Sequence, residues 1–317
     1  MLKRVCWVLL VAVVGGPGFA AAQTFPSKTM RLISGVTPGS TSDTMARILA
    51  EKMTVTLGQP VIVENWLGAG GLVGASRVAK SDPDGHIIMV YASAFTVSPL
   101  LNPGVLDPQD LTPVATIATI PTVLVVKADK GYKTVADLVA AARAKPGAVI
   151  ATSAGVGSAT HMNLERFRIA AGIEVLHVPL KGAPEALTEV LTGRADFYFA
   201  LPFQARAQAG KVLALAVGSP KRSALFPDVP TTVEAGYANS DYNFWVGALA
   251  PTKTPHEIVQ RLHREFNAAV NAPEVRERIV KTGADPLSLT LPEFEAMIRA
   301  EFEANAKLIK AANIQAN

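Results

Sequence analysis

Short apolar runs alternate with longer segments of helical spacing along this 317-residue chain, and that alternation constrains the fold more than any other feature. Runs at 30–34, 61–64 and 87–91 read as buried strands. Between them lie 45–58 and the segment GLVGASRVAKS, where apolar residues recur three or four apart. In the first of these, Met45, Ile48, Leu49 and Met53 share one face, and Gly58 stops the helix. Strand–helix–strand repetition predicts a parallel sheet with helices on both faces. The pattern then restarts, with strands at 122–126, 149–152, 174–179, 197–200 and 213–217 and helices at 135–145, after 161 and in PEALTEVLTGRA. The C-terminal part is mainly helical, over 256–270 and 291–310. Two doubly wound α/β domains are expected: 23–121 with 218–317, and 122–217. Two chain crossings make a two-stranded hinge with a ligand cleft beside it.

The N-terminus reads as a secretory signal peptide over 1–22. Lys3 and Arg4 form the basic region, an apolar stretch follows from Val5, and Ala20-Ala21-Ala22 offers the cleavage site. The apolar core is short for a membrane span; an uncleaved anchor is the alternative. Cleavage near Ala22 places the mature chain in the periplasm. It also removes Cys6, the sole cysteine, and with it disulfides, thiol catalysis and cysteine metal sites. Thirty basic residues against 26 acidic ones, with no Lys/Arg stripe, exclude an electrostatic nucleic-acid binder. The five histidines are scattered without metal-ligand spacing. No metal or other cofactor is expected.

Two loops share one local grammar. Strand MRLIS runs into GVTPGSTSD and a helix; strand VIATS runs into AGVGSATH and a helix. Each sets small residues at a helix N-terminus, where unpaired N–H groups and the dipole favour an anion. Thr37, Gly39, Ser40, Thr41, Ser42 and Asp43 form the first candidate half-site. Ser153, Gly155, Gly157, Ser158, Thr160 and His161 form the second. If the two α/β units face each other, a carboxylate is held from both sides. Asp43 can also cap its helix, and His161 can pack at its own. Trp66, Ala94, Leu180 and Phe199 complete the ligand-facing set: Trp66 as a wall beside Gly68-Ala69-Gly70-Gly71, and Phe199 with Phe197 and Phe203 as an aromatic flank.

Other chemistries fit less well. A dinucleotide fingerprint wants a third glycine where Thr160 stands. Ala151-x-Ser153-x-Gly155 resembles a nucleophile elbow, with His177, His256 or His263 as base; an exported serine hydrolase is therefore the alternative. A periplasmic sensor without a transport role is another.

The chain resembles the Bug-type (TctC-type) periplasmic receptors of tripartite tricarboxylate transporters. The matches include Thr37-Pro38-Gly39 with Asp43, Glu64-Asn65 with Gly68-Ala69-Gly70-Gly71, and Pro83-Asp84-Gly85. They continue through Ser153-Ala154-Gly155-x-Gly157-Ser158 with His161, His177-Val178-Pro179 with Lys181-Gly182, and Asp228-Val229-Pro230-Thr231 with Trp245-x-Gly247. The resemblance implies a type II periplasmic-binding-protein fold and no catalysis. It further implies a monomer that carries a small carboxylate between two loops to the permease subunits of a membrane transporter. The sequence departs from the family pattern at Ser40, at Trp66-Leu67, at Leu180 and at His86-Ile87. If Trp66 and Leu180 border the cleft, the pocket is more apolar than usual and favours an aromatic or otherwise hydrophobic carboxylate.

Overall fold

A computed structural model describes residues 25–242 and 244–315; the signal peptide read at 1–22 lies outside the described residues. The strands are β1 (Met30–Ser34), β2 (Val61–Asn65), β3 (Ile87–Ala92), β4 (Leu111–Thr119), β5 (Val123–Lys127), β6 (Ile150–Ser153), β7 (Leu176–Pro179), β8 (Phe197–Ala200), β9 (Val212–Val217), β10 (Trp245–Pro251) and β11 (Asp285–Pro286). The helices are α1 (Thr41–Leu57), α2 (Leu72–Ala79), α3 (Ser98–Leu101), α4 (Val135–Ala144), α5 (Ala159–Ala171), α6 (Ala183–Leu191), α7 (Pro202–Ala207), α8 (His256–Asn271), α9 (Pro273–Lys281) and α10 (Leu291–Ala311).

Two sheets result, in the orders β11-β4-β10-β3-β1-β2 and β7-β6-β8-β5-β9. Strand side chains alternate between the faces, which fixes the helix layers. In β1, Leu32 packs with the layer of α1 and α8, while its neighbour Ile33 packs with Leu72 of α2 and Phe294 of α10. In β5, Leu124 and Val126 meet Leu138 of α4 and Phe167 of α5, while Val123 and Val125 meet Leu187 of α6 and Ala205 of α7.

The sheets are mixed rather than wholly parallel. β1 pairs in parallel with β2 and β3, and β6 with β7 and β8. β10 runs antiparallel to both β3 and β4, and β5 antiparallel to β8 and β9. The cause is the pair of crossings, each of which delivers a strand from the other sheet rather than through a helix. β4 and β10 also escaped the sequence reading. The run of β10 is interrupted by Gly247 and ends on Pro251, and β4 carries Pro113 beside a break in register.

Where the chain passes between sheets, its two passes are bonded to one another. Ile120 N–H donates to the Phe244 carbonyl (2.7 Å), Gly218 N–H to Thr122 (2.8 Å) and Tyr242 N–H to Gly218 (3.0 Å). The parallel strands of both sheets release their loops beside this junction, and the candidate residues lie on those loops.

Candidate functional site

The first loop leaves β1 at Ser34 and enters α1 through Ser40, an extended N-cap residue whose side chain does not cap the helix. The Ser40 hydroxyl instead donates to the Thr37 carbonyl (2.6 Å). Among the described residues, the N–H groups of Thr41, Ser42 and Asp43 find no acceptor. An uncapped first turn is what an anion needs.

Asp43 does a different job from the ligand contact expected of it. Its side chain is buried and takes four donors: Gly39 N–H (2.8 Å), Arg47 Nε and Nη2 (3.0 Å each) and Asn65 Nδ2 (2.8 Å). Burial pushes the carboxyl upward, but the bonds from Arg47, Gly39 and Asn65 outweigh it and hold it below its ordinary value. Asp43 thus fixes the shape of the loop and presents no oxygen to a ligand.

The second loop, between β6 and α5, uses several of its donors internally. Ala154 N–H bonds Thr160 Oγ1 (2.9 Å), Gly157 N–H bonds His161 Nδ1 (3.1 Å), and Ser158 N–H bonds the Gly155 carbonyl (3.2 Å). Ser158 Oγ caps α5 through His161 N–H (3.3 Å). Gly157, at φ 75°, faces α3: a β-carbon there would lie 2.9 Å from Leu101 Cδ1. The loop is packed, though among the described residues the N–H groups of Val156, Ala159 and Thr160 find no acceptor.

Below it lies a buried polar cluster. Ser153 Oγ contacts His177 Nε2 at 2.8 Å, and the His177 ring stacks on His161 with centroids 4.2 Å apart and 10° between planes. His161 Nε2 lies 3.8 Å from Glu165 Oε1, and Arg168 binds the other Glu165 oxygen (2.7 Å). Burial drives His161 down to about 3, helped by His177 and Arg168, and drives His177 down to about 4, helped by Arg168. Both rings are neutral at physiological pH. The Ser–His contact has the geometry of an activated nucleophile, but Ser153 is 0% exposed and its hydroxyl also donates to the Gly155 carbonyl (3.3 Å). A nucleophile must reach its substrate, so the hydrolase alternative is set aside.

The first loop opens on a cavity of about 730 Å³. Thr37, Gly39, Ser40 and Thr41 form one wall, with Thr44 and Met45 of α1. The facing wall is not the second loop. It is Gly182–Pro184 at the start of α6 and Leu201, Phe203 and Gln204 around the start of α7, with Ile120 from the crossing and Lys281 and Thr282 at the end of α9. The α6 N-terminus also lacks a side-chain cap, but its own Glu185 carboxylate folds over Gly182. The anion-seeking end of the cavity is therefore that of α1.

Other expected contacts lie elsewhere. Trp66 does not line the cavity. It is held between the guanidiniums of Arg31 (5.2 Å) and Arg77 (4.3 Å), with Nε1 donating to Glu64 (3.1 Å). Phe199 is fully buried among Leu124, Phe167 and Phe197. Ser42 is buried in the first turn. Leu180 packs on the layer of α6 and β5, and Ala94 sits half-buried in the turn after β3. The apolar lining comes from Met45, Ile120, Leu201 and Phe203 instead. Phe203 was visible in the sequence as an aromatic beside β8; Gln204, Ile120 and Thr282 carry no local signal and are assembled only by the tertiary fold.

A family model described as tripartite tricarboxylate transporter family receptor (TctC) matches residues 45–314. A UPF0065 protein from the tcbD-tcbE intergenic region of Pseudomonas sp. (strain P51) is 35% identical over 298 residues, covering 92% of this chain and 89% of its own length. Among solved structures, R. palustris Rpa4515 with adipate is 29% identical at a TM-score of 0.81, covering 92% of this chain and 99% of that one. MatC (Rpa3494) from Rhodopseudomonas palustris with bound malate is 28% identical at a TM-score of 0.76, covering 90% and 100%. The two-sheet α/β fold is that of periplasmic binding proteins of this type, and the family is one of solute-binding receptors, not enzymes. With its model spanning 45–314 and a relative 35% identical over nearly the whole chain, this protein belongs to the tripartite tricarboxylate transporter receptor (TctC) family.

Proposed function

We propose that this protein is a periplasmic receptor that takes an organic dicarboxylate into the cavity between its two α/β units and delivers it to the permease of a tripartite tricarboxylate-type transporter. The observation that carries this reading is the uncapped start of α1 opening on a cavity walled by elements of both sheets. One carboxylate accepts from the N–H groups of Thr41 to Asp43, which charge-assisted bonding rewards with roughly 1.5–3 kcal/mol each. The methylene or substituted middle lies against Met45, Ile120, Leu201 and Phe203. The bound adipate and malate of the two related structures support the ligand class. Contacts made by both walls favour the closed arrangement of the units, and the closed form is the one the permease recognises. The receptor works as a monomer, with domains at 23–121 plus 218–317 and 122–217, and uses no cofactor.

The test is mass spectrometry of the ligand released from purified protein, followed by calorimetric titration with straight-chain dicarboxylates. Release of a dicarboxylate and a micromolar or tighter Kd support the reading. Release of a solute without a carboxylate, with no heat from any dicarboxylate, sinks it.

A further inference from the structure

Gln204 is buried, with 9% of its surface exposed, yet it lines the cavity. Its Oε1 accepts the Leu201 N–H at 3.3 Å. A backbone N–H can only donate, so this bond fixes which way round the amide sits. The oxygen faces the chain and the NH₂ faces away. Among the described residues that NH₂ finds no acceptor, and its nitrogen is not one of the polar atoms sealed inside the core. A buried amide that keeps one side bonded and leaves the other open to a cavity is a donor waiting for an acceptor. Its neighbours on that wall, Leu201 and Phe203, offer none from their side chains.

We propose that Gln204 is the specificity-determining residue for the far end of the ligand: its NH₂ donates to an oxygen of the second carboxylate. This rests on the dicarboxylate reading above. The division of labour follows from the chemistry of the two ends. The α1 N-terminus supplies several N–H groups and the positive end of a helix dipole, so it holds a full charge. Gln204 supplies one neutral, oriented donor across an apolar floor. Such a donor discriminates strongly against a ligand that lacks the matching oxygen, because the amide is then left buried and unpaired. The site should therefore separate a dicarboxylate from the monocarboxylate of equal chain length.

The experiment titrates wild type, Q204L and Q204E with four- to eight-carbon straight-chain α,ω-dicarboxylates and their matched monocarboxylates. Wild type should bind its best diacid about tenfold or more tightly than the matched monoacid, the size of one bond to a charged group. Q204L should abolish the preference, weakening the diacid and tightening the monoacid, whose apolar end no longer leaves an amide unpaired. Q204E keeps the acceptor for Leu201 N–H and with it a wild-type melting temperature. Its added carboxylate should weaken the diacid further than Q204L does. If wild type binds no member of the series, the dicarboxylate reading itself fails and the Gln204 assignment with it. If wild type binds a diacid but Q204L keeps the same diacid-to-monoacid ratio, the Gln204 assignment alone is overturned.

Discussion

Acidification from about pH 7.5 to about pH 5 should cost this protein roughly 4 kcal/mol of stability through two side chains, His161 and His177. In the native state His161 is buried and His177 half-buried beneath the second loop, and both are neutral, with values pushed down to about 3 and about 4. Unfolded, each returns to an ordinary value near 6.5. Between the folded and unfolded values the unfolded chain binds more protons, so stability is fully present above the unfolded value and falls as pH drops below it. At about pH 5 an unfolded histidine is nearly all protonated while its native counterpart is nearly all neutral, which costs roughly 2 kcal/mol per ring. The local consequence is specific: a proton on His161 Nδ1 would displace the Gly157 N–H it accepts at 3.1 Å and unfasten the turn. Urea denaturation followed by tryptophan emission reads the loss directly. Trp245 is fully buried and its Nε1 bonds Glu301 at 2.7 Å, so it reports loss of the core. H177Q removes one titrating ring but keeps a polar partner for Ser153. Its acid-dependent loss should fall to about half the wild-type value, near 2 kcal/mol. An equal loss in wild type and H177Q would refute a neutral buried pair.

Two further substitutions separate the shape of the first loop from its contacts. Asp43→Ala removes the acceptor shared by Gly39, Asn65 and Arg47 and should destabilise the fold by about 2 kcal/mol in urea denaturation. Calorimetry of the same variant should show affinity for its best dicarboxylate falling at least about tenfold, because the donor turn loses its template. Trp66→Phe should cost about 1 kcal/mol of stability through its two guanidinium contacts. Its Kd should stay within about twofold of wild type, since Trp66 does not line the cavity; a tenfold change would return it to the site.

Short apolar runs set between segments of helical spacing made most of the fold readable. Strands β1, β2, β3, β5, β6, β8 and β9 are such runs, and helices α1, α4, α6, α8 and α10 carry the helical repeat. β10 is equally buried, on both faces, but its run is broken by Gly247 and ends on Pro251. Its antiparallel direction is set by the returning chain, which no local pattern encodes. The first loop at the start of α1 was likewise readable, from small residues before an amphipathic helix. The far wall was not. Ile120, Gln204 and Thr282 come from a crossing, a short helix and the end of α9, and nothing near any one of them in sequence refers to the others.

The two glycine loops show why composition alone stops short of a site. Both offer Ser and Thr hydroxyls, and both sit at a helix start. Each serine donates its hydroxyl to the carbonyl three residues back, Ser40 to Thr37 and Ser158 to Gly155, but only Ser158 also accepts an N–H of its helix. Ser158 Oγ accepts the His161 N–H and lies 3.1 Å from Thr160 Oγ1, so it caps α5 and closes the loop on itself. The difference turns on His161. Its Nδ1 takes the Gly157 N–H, while the equivalent pull in the first loop comes from Asp43, which takes Gly39 N–H but must also satisfy Arg47 and Asn65. The first loop leaves Thr41 at the cavity wall. The second is closed through Gly157 N–H and packs against α3. The anchor of the first loop is in turn a property of the neighbouring strand: Asn65, at the end of β2, bonds both the Asp43 carboxylate and the Val36 carbonyl.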